Sequence, residues 1–306
     1  MVNNTERGKE ATVCGAAASN SGSVYTESHP HPSILAAGST FPTAGSSAQL
    51  VASWWFTSRH GGYSAGMFAS NNLGDHVGDQ PQAVAANRAQ LADLVGVSTH
   101  RLHFMDQVHG TRIAVVDEHT PVRPVADALA KRRMSPHPLD RTDGMISDTL
   151  NVGLAVQVAD CMPLLFADVD HQLIGCAHAG RVGAVHGIAA DMVHALYARG
   201  ATPQSLHVFI GPHAQGCCYE VPAAMQEDCN QQLPGCATST DANTPGLDLA
   251  QGIRQQLAHL GVEQVHTIGD CTICGENLFS YRRQSRTGRQ AGVIVLSHPA
   301  GTQPSE

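Results

Sequence analysis

Three residues with metal-binding side chains, His109, Cys161 and His178, stand at or near the predicted ends of strands. Two imidazoles and one thiolate form a set of three protein ligands, which in zinc enzymes leaves the fourth coordination position free for water or substrate. A structural zinc site has four protein ligands, so this set indicates catalysis. The ligands are 52 and 17 residues apart, so the fold must bring them together. From the residues alone the set is a hypothesis, because a single Cys or His is more often a core residue.

The segments that must position these residues have the composition of short strands and helices. Strands are predicted at residues 50–57, 101–108, 111–117, 151–158, 163–168, 172–177, 206–210, 264–268 and 292–296. Helices are predicted at residues 79–95, 183–198, 222–232 and 247–260, the first with Asp79 as its N-cap. His109 then lies in a tight turn, and Cys161 and His178 lie just beyond strand ends. This mixture predicts an α/β fold with mixed β-sheets covered by helices.

Nine short patches between about residue 54 and residue 296 resemble, in the same order, the YfiH family. Its members are variously described as laccase-domain, polyphenol-oxidase-like, purine nucleoside phosphorylase and peptidoglycan-editing proteins. The patches lie at residues 57–62, 71–79, 107–110, 142–144, 155–163, 175–180, 210–212, 219–221 and 279–283. Three of them contain the sequences Gln107-Val108-His109-Gly110, Ala159-Asp160-Cys161 and Ala177-His178-Ala179-Gly180.

The resemblance implies that His109, Cys161 and His178 bind zinc and are catalytic. It also implies a YfiH-like single domain that phosphorolyses purine nucleosides, with adenosine, guanosine, inosine or methylthioadenosine as the nucleoside and phosphate as the second substrate. Zinc lowers the pKa of a bound water to about 7, which is the chemistry that attack on C6 of adenosine requires, so adenosine deamination is expected as well. Copper is a possible alternative occupant, because it outcompetes zinc in raw affinity.

Five further residues are candidates for contact with the substrates. Arg59 and Arg181 are expected to bind phosphate, because a guanidinium grips phosphate through two parallel hydrogen bonds. Asn72 and Gln107 are expected to bind the nucleoside, since each amide offers a donor and an acceptor. His76 is expected to be a proton shuttle, and the alternative of a loop histidine without a role stays open.

Two features depart from the pattern of the family. Members commonly carry Trp-Arg after the His-Ala-Gly that includes the second ligand histidine, whereas this chain has Arg181-Val182. The arginine is therefore one position early, which alters its reach and direction. Residues 118–141 are longer than usual and have no apolar rhythm, so we predict a surface insertion there.

Composition bounds the remaining regions of the 306-residue chain. Residues 50–298 are expected to form the catalytic domain. Residues 1–49 are rich in Ser, Ala, Gly, Thr and Asn, and this composition predicts a disordered, low-complexity tail. The tail lacks the apolar segment of a secretory signal, and no apolar run approaches the roughly 20 residues that span a bilayer. We therefore expect a soluble, cytoplasmic protein without a membrane partner.

Charge argues against nucleic acid as a partner. The formal net charge is −8 with histidines neutral, and no basic stripe stands out. The cluster of Arg282, Arg283, Arg286 and Arg289 is the exception, and it is either a solvated loop or an anion site. The oligomeric state is not readable from the sequence.

The chain has nine cysteines, and one pair of them has the spacing found in zinc ribbons and in thioredoxin-type redox motifs. Cys271 and Cys274 form a CxxC motif, but a zinc ribbon needs a second spaced pair, and Cys217 and Cys218 are adjacent. We therefore predict that Cys271 and Cys274 are structural thiols.

Three rival functions stay open at this point. The first is a copper-dependent, laccase-like polyphenol oxidase. The second is a metal-free hydrolase acting on cell-wall precursors, with Cys161 as nucleophile and His178 or His109 as base. The third is a binding protein without catalysis.

Overall fold

The computed structural model describes residues 24–27, 29–123, 125 and 137–299. Among these residues the strands are β1 (Val24–Glu27), β2 (Ile34–Thr40), β3 (Val51–Thr57), β4 (Leu102–Phe104), β5 (Ile113–Val115), β6 (Gly144–Ser147), β7 (Gly153–Val158), β8 (Met162–Asp168), β9 (Leu173–Ala179), β10 (His207–Ile210), β11 (Ala237–Ser239), β12 (Pro245–Leu247), β13 (Gln264–Thr267) and β14 (Gln290–Ser297). The helices are α1 (Pro81–Leu94), α2 (Arg181–Val185), α3 (Ile188–Tyr197), α4 (Ala223–Gln232) and α5 (Leu249–His259), with 3₁₀ turns at Gly66–Phe68 and Thr99–Arg101. No helix of the described part is long and apolar enough to cross a membrane.

Two six-stranded mixed sheets form the centre of the protein. The first has the order β1-β2-β3-β14-β7-β4, and the second has the order β13-β10-β8-β9-β6-β5. In the first sheet only β4 and β7 pair in parallel, and in the second only β5–β6 and β10–β13 do. The prediction of mixed sheets covered by helices is confirmed.

Both faces of the first sheet are covered. Successive side chains of a strand point to opposite faces, so each strand contributes to two cores. On β14, Val293 and Val295 pack against Leu91 of α1, whereas Ile294 packs in the core between the two sheets with Trp54. The inner strands are therefore mostly apolar, as expected for strands buried on both sides.

The second sheet follows the same rule. Leu165 of β8 and Phe209 of β10 face the first sheet. Phe166 and Val208, their neighbours in sequence, face the core formed with helices α2 to α5. The protein thus has four layers, with α1, two sheets and then the other helices, and each fully buried large apolar side chain stabilises it by about 1.5–3 kcal/mol.

Strand register brings the three candidate ligands together at one end of the central strands of the second sheet. Antiparallel pairing aligns Pro163 on β8 with His178 on β9, so Cys161, just before β8, lies beside His178. Gly144 on β6 pairs with Ala177 on β9 and with Ile113 on β5. These pairings place Asp143 and the turn at 109–110 beside the same histidine.

Three local predictions need correction. His178 lies inside β9 and not beyond it, because β9 extends two residues further than predicted. The predicted helix at 183–198 is two helices, since Gly187 adopts a left-handed conformation with φ 88° between α2 and α3. The N-cap of α1 is Gln80, and Asp79 instead accepts a hydrogen bond from the side chain of Asn72 at 2.9 Å.

The prediction of a disordered tail through residue 49 is wrong for the segments that form β1 and β2. β2 pairs with β3, and β1 pairs with β2, so both extend the first sheet. Composition did not indicate β2 because this strand consists mainly of small residues. The packing requires a small residue at one of these positions, since Gly38 lies opposite Trp54 and a Cβ on Gly38 would lie 2.4 Å from the indole ring. Residues 1–23 and 28 lie outside the described residues.

The predicted surface insertion at 118–141 also needs a new boundary. Leu139 is only 1% exposed and packs in the core between the sheets. Residues 124 and 126–136 lie outside the described residues.

We expect Gly38→Ala to lower the free energy of unfolding by about 1–3 kcal/mol, because a new methyl group must displace both the backbone carbonyl of Tyr25 and the Trp54 ring. Thermal denaturation measures the effect. Ser39→Ala is the matched control, since the Ser39 hydroxyl contacts only Ser53 at 3.2 Å. Equal melting temperatures for both variants would show that β2 is detached from the sheet in solution.

Candidate metal centre and active site

His109, Cys161 and His178 meet in a compact cluster. Their ligand atoms lie within 4.8 Å of one another. The Cys161 Sγ is 3.7 Å from His109 Nε2, and the two imidazole rings are 4.6 Å apart, edge to face. His178 is buried and His109 is exposed, so one side of the cluster is open to solvent.

A single buried carboxylate, that of Asp143, holds two of these ligands in place. Its oxygens accept hydrogen bonds from the backbone N–H groups of Val108 at 3.2 Å, His109 at 2.9 Å and Gly110 at 2.7 Å. Oδ1 also contacts His178 Nδ1 at 2.8 Å. His109 has φ 63°, a left-handed conformation that costs energy in most residues, and these bonds stabilise it.

The Asp143 contact also fixes which nitrogen of His178 can bind a metal. Burial opposes ionisation of Asp143, but hydrogen bonds from His178 and Gly110 outweigh it and lower the pKa of the carboxyl. An ionised carboxylate can only accept, so Nδ1 of His178 carries a proton, and Nε2 is the nitrogen that can bind a metal, which would displace any proton there. This orientation of a ligand histidine by a carboxylate is typical of metal sites.

The electrostatics of the cluster favour a thiolate. Burial opposes ionisation of Cys161, but hydrogen bonds with His109 and His178 outweigh it and lower the pKa of the thiol to about 6. Burial likewise opposes protonation of His178, but Asp143 and Cys161 raise the pKa of its imidazole to about 9. A thiolate is the form of cysteine that binds metals and acts as a nucleophile.

Glycine at position 180 keeps the space between the ligands open. A Cβ at Gly180 would lie 3.0 Å from Cys161 Sγ and 3.3 Å from His109 Nε2. Any side chain there would therefore occupy the space between the donor atoms in which an ion would bind. Two imidazoles, one thiolate and this space fit zinc with an open fourth position.

Asp160, which directly precedes Cys161 and has a φ of 93°, holds neighbouring segments against one side of the site. Its carboxylate accepts hydrogen bonds from the Thr272 hydroxyl and from the backbone N–H of Arg282, both at 2.7 Å. The guanidinium of Arg282 in turn lies 4.6 Å from the ring centre of Tyr219. Asp160 therefore positions neighbouring segments.

Cationic side chains surround the cluster. The charges of Arg181 and Arg282 lower the pKa of Tyr219, although burial raises it more. Burial lowers the pKa of Arg289, and the charge of Cys161 opposes that shift. Among the described residues, no hydrogen bond or ion pair engages the guanidinium of Arg181. Arg181 is thus a cation beside the cluster that is available to an anion.

Two of the predicted substrate-binding amides are engaged within the protein. Asn72 is fully buried, and its amide donates to Gly74 and Asp79 and accepts from the backbone N–H groups of Gly74 and Arg289. The Gln107 side chain pairs with the backbone N–H and C=O of Gln157 at 2.9 and 2.7 Å. Asn72 therefore has no free donor or acceptor for a nucleoside, and Gln107 continues the pairing of β4 with β7.

His76 and Arg59 do not join the cluster through any contact among the described residues. The exposed ring of His76 lies 3.6 Å from the carboxylate of Asp75. Arg59 donates to the carbonyl of Ala69 at 3.2 Å and lies over the ring of Phe279. Their assignments as proton shuttle and phosphate ligand stay predictions.

Sequence reasoning assigned Asp143 no contact with the cluster and left the role of Arg289 open. Asp143 belongs to the patch at 142–144, which was one of the signals of the family, but nothing in its spacing indicates that it binds His178. Arg289 belongs to the arginine cluster that sequence left open between a solvated loop and an anion site. Its guanidinium donates to the carbonyls of Thr287 and Gly288, and the anion site stays a prediction.

Comparisons with known proteins agree on one family. The sequence profile of a family described as multi-copper polyphenol oxidoreductase laccase matches residues 53–297, which include all three ligands. A purine nucleoside phosphorylase of Corynebacterium glutamicum is 44% identical over 245 residues, covering 80% of this chain and 94% of that protein. One of Mycobacterium tuberculosis is 43% identical over 240 residues, covering 78% and 90%.

Solved structures with the same fold extend this result. YlmD from Geobacillus stearothermophilus superposes with a TM-score of 0.72 at 34% identity, covering 83% of this chain and 94% of that one. The hypothetical protein YfiH from Bacillus licheniformis gives a TM-score of 0.71 at 32% identity, covering 81% and 97%.

We expect Asp143→Asn to weaken zinc binding about 10- to 100-fold, the usual effect of losing a carboxylate that orients a ligand histidine. The amide nitrogen would face N–H donors of the 108–110 turn or the ring of His178 and could accept from none of them. Competition with a chromophoric chelator measures the affinity, with circular dichroism as a check on folding.

Asp106→Asn is the control for this experiment. Asp106 precedes the same turn, and its carboxylate accepts only from the backbone N–H of Arg141 at 3.3 Å. Zinc affinity that is the same in both variants would contradict the role assigned to Asp143.

Proposed function

We propose that this chain, which belongs to the YfiH family, is a zinc-dependent purine nucleoside phosphorylase that also deaminates adenosine. Its membership of the family follows from the match to the multi-copper polyphenol oxidoreductase laccase profile and from its similarity to the structures of YfiH and YlmD. The cluster of His109, Cys161 and His178, oriented by Asp143 and flanked by Arg181, carries this proposal. The names of the relatives from Corynebacterium and Mycobacterium support the reaction class.

Zinc is the proposed ion, and His109, Cys161 and His178 would hold it. Two imidazoles and a thiolate suit zinc, and three protein ligands leave room for chemistry. When bound, the ion supplies Lewis-acid catalysis at this position. Copper binds such ligands as well, so phenol oxidation by a copper-loaded preparation is compatible with a zinc enzyme.

The residues of this chain have separate tasks in the proposed reaction. Asp143 keeps a proton of His178 on Nδ1 and so keeps Nε2 directed at the position that the ion would occupy. Arg181, with Arg289 as a second cation, binds the phosphate whose oxygen attacks the anomeric carbon of the nucleoside. The bond from that carbon to the purine nitrogen then breaks. In deamination, water replaces the amino group at C6, and ammonia leaves.

The experiment measures metal content together with turnover of adenosine, with and without phosphate. We expect about one zinc in the cluster, adenine release that requires phosphate, and inosine formation that does not. His109→Ala, Cys161→Ala and His178→Ala should each abolish both reactions. His259→Ala and Cys229→Ala, which remove an exposed imidazole and a core thiol, are the matched controls. Normal turnover by a folded Cys161→Ala variant without metal in the cluster would refute the proposal.

We expect Arg181→Ala to raise the KM for phosphate about 10- to 100-fold, since a hydrogen-bonded charge contributes about 1.5–3 kcal/mol. Deamination, which uses no phosphate, should change little. Steady-state kinetics with phosphate varied at saturating adenosine measures the effect. Arg199→Ala removes an exposed guanidinium beyond α3 and should leave both reactions unchanged. An unchanged KM in Arg181→Ala would assign phosphate to another residue.

A metal-free hydrolase is the second candidate, and the lowered pKa of Cys161, about 6, favours it. Such a thiolate beside His178 could attack an amide carbonyl, for example in a cell-wall precursor. Stoichiometric alkylation of Cys161 that abolishes activity in a zinc-free preparation would support this candidate. Phenol oxidation that needs copper and persists with zinc chelated would instead favour the polyphenol oxidase.

A further inference from the structure

Four cysteines form a second cluster, apart from the residues already described. The Sγ atoms of Cys217, Cys218, Cys271 and Cys274 all lie within 4.8 Å of one another. Cys217 and Cys274 are 3.6 Å apart, and Cys218 and Cys274 are 2.8 Å apart, measured between sulfur atoms. All four are free thiols.

The topology of the second sheet explains why residues more than 50 positions apart meet here. Strands β10 and β13 are parallel neighbours, so the segments that follow them leave the sheet side by side. A bridge between His213 and Cys271 extends this pairing beyond the strands. The turn at 215–218 then brings Cys217 and Cys218 over the CxxC motif, with Cys218 N–H donating to Gln215 at 3.0 Å.

The backbone around Cys271 forms a tight loop. The N–H of Gly275 donates to the Cys271 carbonyl at 2.9 Å, which closes a tight loop over the motif. This loop holds Cys271 and Cys274 close together before an ion arrives.

We propose that these four cysteines bind a second zinc ion as a closed, structural site. Zn–S bonds of about 2.3 Å in a tetrahedron place the sulfur atoms about 3.8 Å apart, which agrees with the distance from Cys217 to Cys274. Cys218 and Cys274 are closer than that and must separate by roughly 1 Å when the ion binds. Binding displaces the thiol protons into solvent.

This proposal differs from the prediction from sequence that Cys271 and Cys274 are structural thiols. It relied on the spacing expected of a zinc ribbon, whose cysteine pairs each form a spaced motif. Here only one pair is spaced. The adjacent pair reaches the ion because Cys217 and Cys218 both lie in a turn, where neighbouring side chains need not point to opposite faces as they do in a strand.

The second ion would stabilise a wall of the active site. Thr272, which lies inside the CxxC motif, donates to Asp160, the neighbour of Cys161. Tyr219 directly follows Cys218 and packs under Arg282. A tetrahedral site with four cysteines has no open position, so its role is to fix these segments and not to react.

The test is the zinc content of the full-length protein, purified with a thiol reductant and without added metal. We expect about two zinc ions per chain in the wild type. Cys161→Ala should keep one, Cys274→Ser should keep the other, and the double variant should keep none. Cys229→Ala, which removes a core thiol outside both clusters, should keep two.

A spectroscopic readout keeps the proposal testable if Cys274→Ser does not fold. Zinc-edge X-ray absorption of Cys161→Ala should show a shell of four sulfur atoms at about 2.3 Å and no nitrogen. A shell of mixed nitrogen and sulfur would overturn the proposal. So would a wild type with a single zinc that Cys161→Ala loses, or a Cys218–Cys274 disulfide that persists under reductant.

Zinc counts also separate this proposal from the proposed enzymatic function. A zinc that remains in Cys161→Ala and disappears in Cys274→Ser supports the four-cysteine site, whether or not adenosine is turned over. Loss of all zinc in Cys161→Ala refutes the four-cysteine site and leaves the enzyme proposal intact.

Discussion

The contact of the Asp143 carboxylate with the turn at 108–110 and with His178 is the constraint on which the active site depends. It accepts hydrogen bonds from three backbone N–H groups, stabilises a left-handed His109 and selects the nitrogen of His178 that would bind a metal. A buried carboxylate without these partners would be costly, and the turn without the carboxylate would have unsatisfied donors. The site is therefore formed before any ligand binds, and loss of Asp143 affects both imidazoles together.

The two sheets make this contact possible because each inner strand is buried on both faces. Such strands have little freedom in register, since a shift by one residue would move every side chain to the other face. Register between β8 and β9 then brings Cys161 to His178, and register between β6 and β9 brings Asp143 to the same place. The ends of these rigid central strands thus position groups that come from distant parts of the chain.

Much of the fold within residues 50–298 could be predicted, because apolar runs and helix signals are local properties. The nine predicted strands and the first, third and fourth helices are present, with ends that shift by a few residues. β2 was missed because most of its residues are small and have low strand propensity, and its stability comes from pairing with β1 and β3. The pairing of Gln107 with Gln157 was missed because the side-chain amide of Gln107 makes the two hydrogen bonds that a strand backbone would make. Secondary-structure propensities do not describe such a contact.

The sequence by itself determined the family, the mixed sheets covered by helices, and the identity of His109, Cys161 and His178 as a group, since motif types and apolar patterns are written along the chain. Tertiary structure alone decided that Asp143 orients this group, that Asn72 is occupied within the protein, and that four cysteines with unsuitable spacing form a cluster. The physical reason is the separation in sequence over which each kind of interaction acts. Propensity and motifs report on neighbours in sequence, whereas hydrogen bonding of a buried group and convergence of thiols depend on which distant strands are paired.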